Sequence, residues 1–119
     1  LQGQDLGNLA KQVGGNDENT RNGVMAALPA LLGALNKNTN THEGAQALNN
    51  ALEQHDGSVL NNLGGYLQNP DLKDGAGILN HLFGNNTQNV ANAVSQSSGL
   101  DAQGSMKMLQ TLAPLIIRA

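Results

Sequence analysis

The sequence predicts an all-α fold in which about seven short helices form one compact bundle. Apolar residues recur at spacings of three and four along most of the chain, as Leu6, Leu9 and Val13 do, and this is the period of an amphipathic helix. No segment combines strand-like alternation with β-branched enrichment. Residues 1–119 are long enough for one domain with its own core, so we assign them to a single helical domain.

A glycine separates the first two predicted helices. Gly14 follows the apolar positions of the first helix and is typical of a helix end. Asn16 or Asp17 can cap the second helix, which continues to the Asn- and Thr-rich segment 36–41. The apolar positions predicted to face the core from the second helix are Val24, Leu28, Leu31, Leu32 and Leu35.

The middle of the chain predicts three further helices. Thr41 caps the first of these, and the turn at Asp56-Gly57-Ser58 precedes the second, which Gly64-Gly65 weakens. Asp74 is predicted to cap the third, and Gly84 ends it.

Two helices follow before the chain ends. Asn86 or Thr87 opens the sixth helix, and Gly99 ends it. Asp101 caps the seventh. The apolar positions of the seventh helix are Met108, Leu109, Leu112, Leu115 and Ile116.

The second and the last predicted helix each contain a proline within an aliphatic run, namely Pro29 and Pro114. Because proline lacks an N–H group, the carbonyl of Met25 or of Gln110 loses its helical partner. We expect a kink or a break at each site, at a cost of about 3 kcal/mol where the proline is not accommodated. Two kinked helices around a common core are one interpretation. The other is a bend that exposes aliphatic surface to a partner.

The first and last helix pairs are similar at a shift of 85 positions. The matched positions are Gly14 with Gly99, Asn16 with Asp101 and Pro29 with Pro114, together with four aliphatic positions. This similarity predicts a pseudo-twofold relation between the two pairs, with duplication as one explanation. A second similarity, at a shift of 31, joins the segments that begin at Gly44 and Gly75. Convergence on helix-start chemistry explains the second similarity as well as duplication does.

Charged residues are scarce in this chain. They make up 13% of the sequence, against about 25% in a typical domain. The six basic residues are dispersed and the net charge is -3, so no basic block is present to neutralise phosphates. We therefore expect no nucleic-acid partner. Weak electrostatic repulsion permits self-association, and a protein partner or a homo-oligomer is expected.

The sequence says little about the compartment. Cysteine is absent, which excludes disulfides and thiolate metal sites and leaves the redox environment open. No apolar run reaches the roughly 18 residues of a transmembrane segment, and no signal peptide is visible. The chain opens with Leu1 and not with Met, so a targeting segment is not excluded. We slightly favour the cytoplasm.

No pattern in the sequence predicts catalysis, a metal or a cofactor. The three histidines, His42, His55 and His81, do not form a cluster with the ligand number that zinc requires. No serine lies in a nucleophile-elbow motif. Gly75 and Gly77 follow no predicted strand and precede no Lys-Ser/Thr pair, so they do not indicate a phosphate-binding loop. We expect these glycines to permit close packing between helices.

Several segments together resemble a known family. They are residues 26–35, 44–48 and 112–115, His55-Asp56-Gly57-Ser58, and the segment from Asp74 through Gly75, Gly77 and His81 to Gly84. They resemble the bacterial YidB-like family, the domain of unknown function numbered nine hundred and thirty-seven, over residues 9–117. The resemblance implies an all-α fold and carries no established activity.

The resemblance draws attention to His55, Asp56, Asp74, Gly75, Gly77 and His81 as candidate structural or functional residues, beside Pro29 and Pro114. We expect His55 to form a bond across to the turn at Asp74-Gly75.

Three functional hypotheses follow. The preferred hypothesis is a non-enzymatic protein-interaction or self-assembly module, with an exposed apolar patch near Pro29 and Pro114 or a dimer that buries it. The alternative is a small-molecule or metal-binding enzyme with a site around His55 and His81. A peripheral membrane module that uses the C-terminal apolar helix is a third hypothesis, although that helix lacks the usual basic face.

Overall fold

The computed structural model describes residues 3–39 and 62–118. These residues form helices α1 (Gly3–Val13), α2 (Asp17–Thr39), α3 (Leu63–Gln68), α4 (Leu72–Phe83), α5 (Thr87–Ser98) and α6 (Ala102–Arg118), with a 3-10 turn at Gly84–Asn86 between α4 and α5. The described part of the chain contains no strand. The predicted all-α fold is therefore confirmed.

The lengths of two helices differ from the prediction of short segments. Helix α2 has 23 residues and α6 has 17, and each continues past its proline. Neither proline breaks its helix, because residues on both sides of it pack into the same core: Ala27 and Leu31 flank Pro29 and are fully buried. The kink predicted at each proline stays a prediction. The helix predicted to begin at Thr41 lies outside the described residues.

The connections from α1 to α2 and from α5 to α6 are built alike. Gly14 and Gly99 follow the first helix of each pair with φ angles of 71° and 88°, which favour glycine. Asn16 and Asp101 then cap α2 and α6, because the side-chain oxygen of each accepts a bond from the backbone N–H three residues later, at 2.7 and 2.6 Å. The local similarity read from the sequence is therefore present in the structure. The pseudo-twofold relation stays a prediction.

The start of α4 lies three residues before the predicted one. Asp71 is the N-cap residue, and its carboxylate accepts a bond from the backbone N–H of Asp74 at 3.0 Å. The prediction that Asp74 caps this helix is wrong, because Asp71 directly follows the turn at Pro70 and is the first residue placed to cap. Asp74 lies in the first helical turn, where a negative charge also favours the helix dipole.

Helix α6 is the centre of the bundle and packs against α1, α2, α4 and α5. The core that it organises is aliphatic, as the near-absence of aromatic residues requires. Its largest fully buried apolar side chains are Leu9, Leu31, Leu67, Leu79, Val94, Met108, Leu109 and Pro114. Among the described residues, α2 packs on the same core through the side that carries Ala27 and Leu31.

The contact between α4 and α6 explains how Pro114 is accommodated. Gly75 is buried, and a Cβ atom at this position would overlap the backbone carbonyl oxygen of Gln110 and lie 2.8 Å from its Cα. The Gln110 carbonyl is the one that loses its helical partner to Pro114. The Cα hydrogen of Gly75 points at this oxygen and makes a weak Cα–H···O contact in place of the missing N–H.

A second contact supports α6 one residue further along. The hydroxyl group of Tyr66, in α3, donates a hydrogen bond to the backbone carbonyl of Thr111 at 2.8 Å. Two successive carbonyls of α6, four and three residues before Pro114, are thus contacted from α4 and α3.

Candidate functional site

An exposed apolar surface lies on α2. Met25 is 67% exposed and Leu32 is 52% exposed, and these are the exposed large hydrophobic residues of the described part of the chain. Pro29 lies between them and is also exposed. Spacings of four and three residues place all three on one side of the helix. We call Met25, Pro29 and Leu32 the α2 apolar face.

The α2 apolar face arises because the middle of this helix is aliphatic around its whole circumference. Residues 26–35 read Ala-Ala-Leu-Pro-Ala-Leu-Leu-Gly-Ala-Leu, without a polar side chain. One side of this segment packs into the core through Ala27 and Leu31. A helix that is apolar on all sides is typically covered on all sides, so the outer side of α2 is built like a surface that another element contacts.

A groove adjoins the α2 apolar face. It has a volume of about 570 Å³ and runs between α2 and the connection from α4 to α5. Most of its lining is apolar or small, and Pro29 belongs both to the groove and to the α2 apolar face. The other lining residues are Ala30, Gly33, Ala34, Lys37, Asn38, Leu82, Phe83, Asn86 and Val90. The Asn38 side chain donates a hydrogen bond to the backbone carbonyl of His81 at 3.0 Å and joins α2 to α4 beside the groove.

Opposite charges mark the two ends of α2. Asp17 and Glu18 lie in the first turn, and Lys37 lies in the last turn. All three are exposed. Each charge favours the helix dipole at its own end, so helix stability alone accounts for their positions. The exposed Arg21 lies one turn after Asp17 and Glu18, so the beginning of α2 carries charges of both signs.

The structure separates the two glycines that the sequence predicts to permit close packing. Gly75 is buried against the backbone of α6, as described above. Gly77 is exposed, and a Cβ atom built there would have no neighbour within 4 Å. The packing prediction therefore holds for Gly75 and is wrong for Gly77, because two positions two residues apart lie on different sides of a helix.

The remaining predicted residues are not gathered into a site by the described part of the structure. Asp74 is half-buried in the first turn of α4, and His81 is exposed in its last turn. Within residues 3–39 and 62–118, no group of three or more His, Asp or Glu residues is placed to hold a metal ion. His55 and Asp56 lie outside the described residues. The site around His55 and His81, and the bond from His55 to the Asp74 turn, stay predictions.

The apolar patch that the sequence predicts near both prolines occurs near one of them. Pro29 is exposed, whereas Pro114 is fully buried because α6 is surrounded by other helices. Leu32 was expected in the core and lies outside it. No local signal in the sequence singles out Leu32, since adjacent helical residues can both be buried in one core, as Ile78 and Leu79 are.

No helix in the described part of the structure combines the length and the hydrophobicity that crossing a membrane requires.

Comparison with known proteins gives a family without an assigned function. The family model described as bacterial protein of unknown function (DUF937) matches residues 1–119. No curated protein and no solved structure matches the chain. The family match confirms the resemblance drawn from the sequence segments.

Proposed function

The chain therefore belongs to this bacterial family of unknown function, and we propose that it acts as a non-enzymatic protein-interaction module, with self-assembly as one form of that activity. The α2 apolar face carries the proposal. Binding to a protein partner, and not chemistry on a substrate, is the role that this surface suits.

The energetics of the α2 apolar face support the proposal. Complete burial of a Met or Leu side chain stabilises by about 1.5–3 kcal/mol relative to exposure. Met25 and Leu32 keep more than half of their surface in contact with water, so most of that stabilisation is left for a partner to supply. The adjoining groove enlarges the apolar area that a partner would cover, through Ala30, Leu82 and other lining residues.

Four of the six acidic residues in the described part of the chain support the same assignment. Asp71 and Asp101 each accept a backbone N–H at a helix start, so both act as caps. Asp17 and Glu18 lie in the first turn of α2. Because the helices account for these four carboxylates, the proposal assigns none of them a catalytic role.

Site-specific photo-crosslinking tests the proposal. A benzophenone amino acid is placed at Met25 or at Leu32 in the bacterium that makes the protein. We expect covalent adducts with a protein, either another copy of this chain or a different one. The matched controls carry the same amino acid at Ala93 or Gln96, which are exposed positions of α5.

The adduct yield at the control positions is the reference against which the yields at Met25 and Leu32 are judged. If Met25 and Leu32 give no more adduct than Ala93 and Gln96, the α2 apolar face binds no protein and the proposal is wrong. Circular dichroism of each purified variant, with an unchanged helical spectrum, shows that the substituted chains are folded.

A further inference from the structure

The proposed function leaves open what kind of partner the α2 apolar face binds, and we infer that the partner is a helix of another chain that resembles α4. This partner helix carries a glycine against the backbone carbonyl of Met25, and two aliphatic residues three and four positions after that glycine. The inference rests on the proposed function and goes beyond it by stating the chemistry of the partner.

Two contacts support the twofold relation predicted between the first and last helix pairs. A Cβ atom at Gly15 would overlap the Leu100 side chain, and a Cβ atom at Gly23 would lie 2.9 Å from Cε of Met108. Each contact joins a residue to its own equivalent at the shift of 85 positions. A residue contacts its own equivalent only near a twofold axis. In addition, α1 packs on α6 and α5 packs on α2, which is the exchange that such an axis produces.

The twofold relation makes the α2 apolar face equivalent to a side of α6 that is covered. The residues of α6 that correspond to Met25, Pro29 and Leu32 are Gln110, Pro114 and Ile117. Pro114 is fully buried, and α4 lies against the backbone of Gln110. Within residues 3–39 and 62–118, no helix covers the corresponding side of α2, where Met25 and Leu32 are exposed. The covered side of α6 therefore shows what kind of element fits the α2 apolar face.

Three residues define the side of α4 that faces the bundle. Gly75 lies so close to the Gln110 carbonyl that no side chain fits between the two helices. Ile78 and Leu79 follow three and four residues later, and they are buried together with Gly75. A glycine followed by two aliphatic residues at this spacing is the feature that a partner helix needs in order to cover a side of this type.

The α2 apolar face offers the same backbone feature as α6. Pro29 lacks an N–H group, so the carbonyl of Met25 has no helical partner. A glycine at this carbonyl makes the weak Cα–H···O contact that Gly75 makes on α6. Met25 and Leu32 lie on either side of Pro29 and supply apolar side chains to the aliphatic residues of the partner.

Chain length indicates that the glycine comes from another chain. The segment that begins at Gly44 matches the segment that begins at Gly75 in sequence. Gly44 follows the end of α2 at Thr39 by five residues, and five residues span at most about 18 Å. Met25 lies fourteen residues before Thr39, which is about 21 Å along the helix. Gly44 of the same chain therefore cannot reach the Met25 carbonyl.

The expected affinity is modest. One helix on the α2 apolar face buries less surface than the 1,200 Å² or more, roughly, of a stable specific interface. We therefore expect a Kd on the order of 100 μM for an isolated helix of this kind.

A synthetic peptide with the sequence of residues 71–83 is the probe, because it contains α4 and its N-cap residue Asp71. Binding to the full chain is followed by NMR of methyl-labelled methionine, since the chain contains three methionines. We expect a saturable shift of the Met25 signal, which is assigned with Met25→Leu. The fully buried Met108 is the internal control and should not shift, because it lies in α6 and responds if the peptide displaces α4.

Two variant peptides test the role of the glycine. A peptide with Gly75→Ala should bind about tenfold more weakly or worse, because the added methyl group prevents the close approach. A peptide with Gly77→Ala gains the same helix propensity on a different side of the helix and should bind at least as tightly as the natural sequence. In the protein, Leu32→Glu should abolish the Met25 shift, whereas Ala93→Glu, on the exposed surface of α5, should preserve it.

The outcomes separate this inference from the proposed function. A Met25 signal that does not shift saturably, or equal affinities of the Gly75→Ala and Gly77→Ala peptides, overturns the α4-like partner. A shift of Met108 without a shift of Met25 also overturns it, because the peptide then binds α6. If photo-crosslinks from Met25 and Leu32 still identify a protein, the interaction role stands with a partner of another kind. If the crosslinks also fail, both proposals are wrong.

Discussion

Helices α2 and α6 have similar sequences around their prolines, yet the two prolines meet opposite environments. Pro29 is exposed on the outer side of α2, and Pro114 is fully buried at the centre of the bundle. The same contrast holds three residues after each proline: Leu32 is 52% exposed, whereas the matching Ile117 is 7% exposed. A repeated local pattern is therefore used once as surface and once as core.

The carbonyl that each proline leaves without a helical partner also has different surroundings in the two helices. In α6 the Gln110 carbonyl is covered by Gly75 of α4. In α2 the freed carbonyl belongs to Met25, a residue that is 67% exposed. A buried helix needs a partner helix with a glycine at one particular position, and an exposed helix does not. Pro114 therefore constrains the residue that α4 can carry at position 75, whereas no such constraint is seen for Pro29 among the described residues.

The largest expected effect comes from adding a methyl group at the contact that accommodates Pro114. Gly75→Ala should lower the free energy of unfolding by about 3 kcal/mol, because the new Cβ meets backbone atoms of Gln110 that cannot rotate away. Urea denaturation measures the change. Gly77→Ala, in the same helix, is the control and should stabilise by up to about 1 kcal/mol, since its site is open and alanine favours a helix. Equal effects at both positions would contradict the close contact.

The second-largest effect is expected from truncating the matched aliphatic residues Ile117 and Leu32, which should change the free energy of unfolding by different amounts. Ile117→Ala should lower the free energy of unfolding by about 2–3 kcal/mol through lost burial and a residual cavity. Leu32→Ala, measured at low protein concentration, should change it by less than about 1 kcal/mol, because half of that side chain already contacts water. A Leu32→Ala variant as unstable as Ile117→Ala would mean that Leu32 belongs to the core.

Replacing the prolines themselves should give unequal results. Alanine restores the missing helical hydrogen bond at either site, and proline is disfavoured in a helix interior by about 3 kcal/mol. At Pro114 the substitution also removes buried ring carbons, at roughly 0.8 kcal/mol for each CH₂ plus a cavity term. Pro29→Ala should therefore be more stable than Pro114→Ala by about 2 kcal/mol in thermal or urea unfolding. The reverse order would show that burial does not distinguish the two prolines.

The smallest expected effect concerns the hydrogen bond from Tyr66 of α3 to the backbone of α6. Tyr66→Phe removes the hydroxyl that donates to the Thr111 carbonyl and should lower the free energy of unfolding by about 1 kcal/mol. Hydrogen exchange should show faster opening of α3, with α5 as the internal reference that does not change. Unchanged exchange in α3 would mean that this hydrogen bond does not hold α3 on the bundle.

Much of the fold could be predicted because its signals are local. Gly14 and Gly99 allow a positive φ angle, and Asn16 and Asp101 provide a side-chain acceptor for free N–H groups, so the ends of four helices follow from neighbouring residues. Where two capping residues compete, as Asp71 and Asp74 do, the local signal is ambiguous, and the prediction chose the wrong one.

The candidate site depended on information that local patterns do not carry. The α2 segment is aliphatic on every side, so its sequence does not say which side faces the core. That choice is made by the helices that pack against it, and it determines that Leu31 is buried while Leu32 is exposed. The different fates of Gly75 and Gly77 have the same origin, since only the position of α6 distinguishes two glycines of one helix.

Local patterns in the sequence were enough to predict an all-helical fold with an aliphatic core, the positions of most helix ends, and membership of a bacterial family. Periodicity and capping depend on residues close together in the chain, so they can be recognised in the sequence without a structure. The packing of the helices determines that α6 is central and α2 peripheral, that Gly75 covers the carbonyl freed by Pro114, and that Met25 and Leu32 face outward. These are consequences of which helices pack together, and that depends on the whole arrangement of apolar surfaces rather than on any one segment.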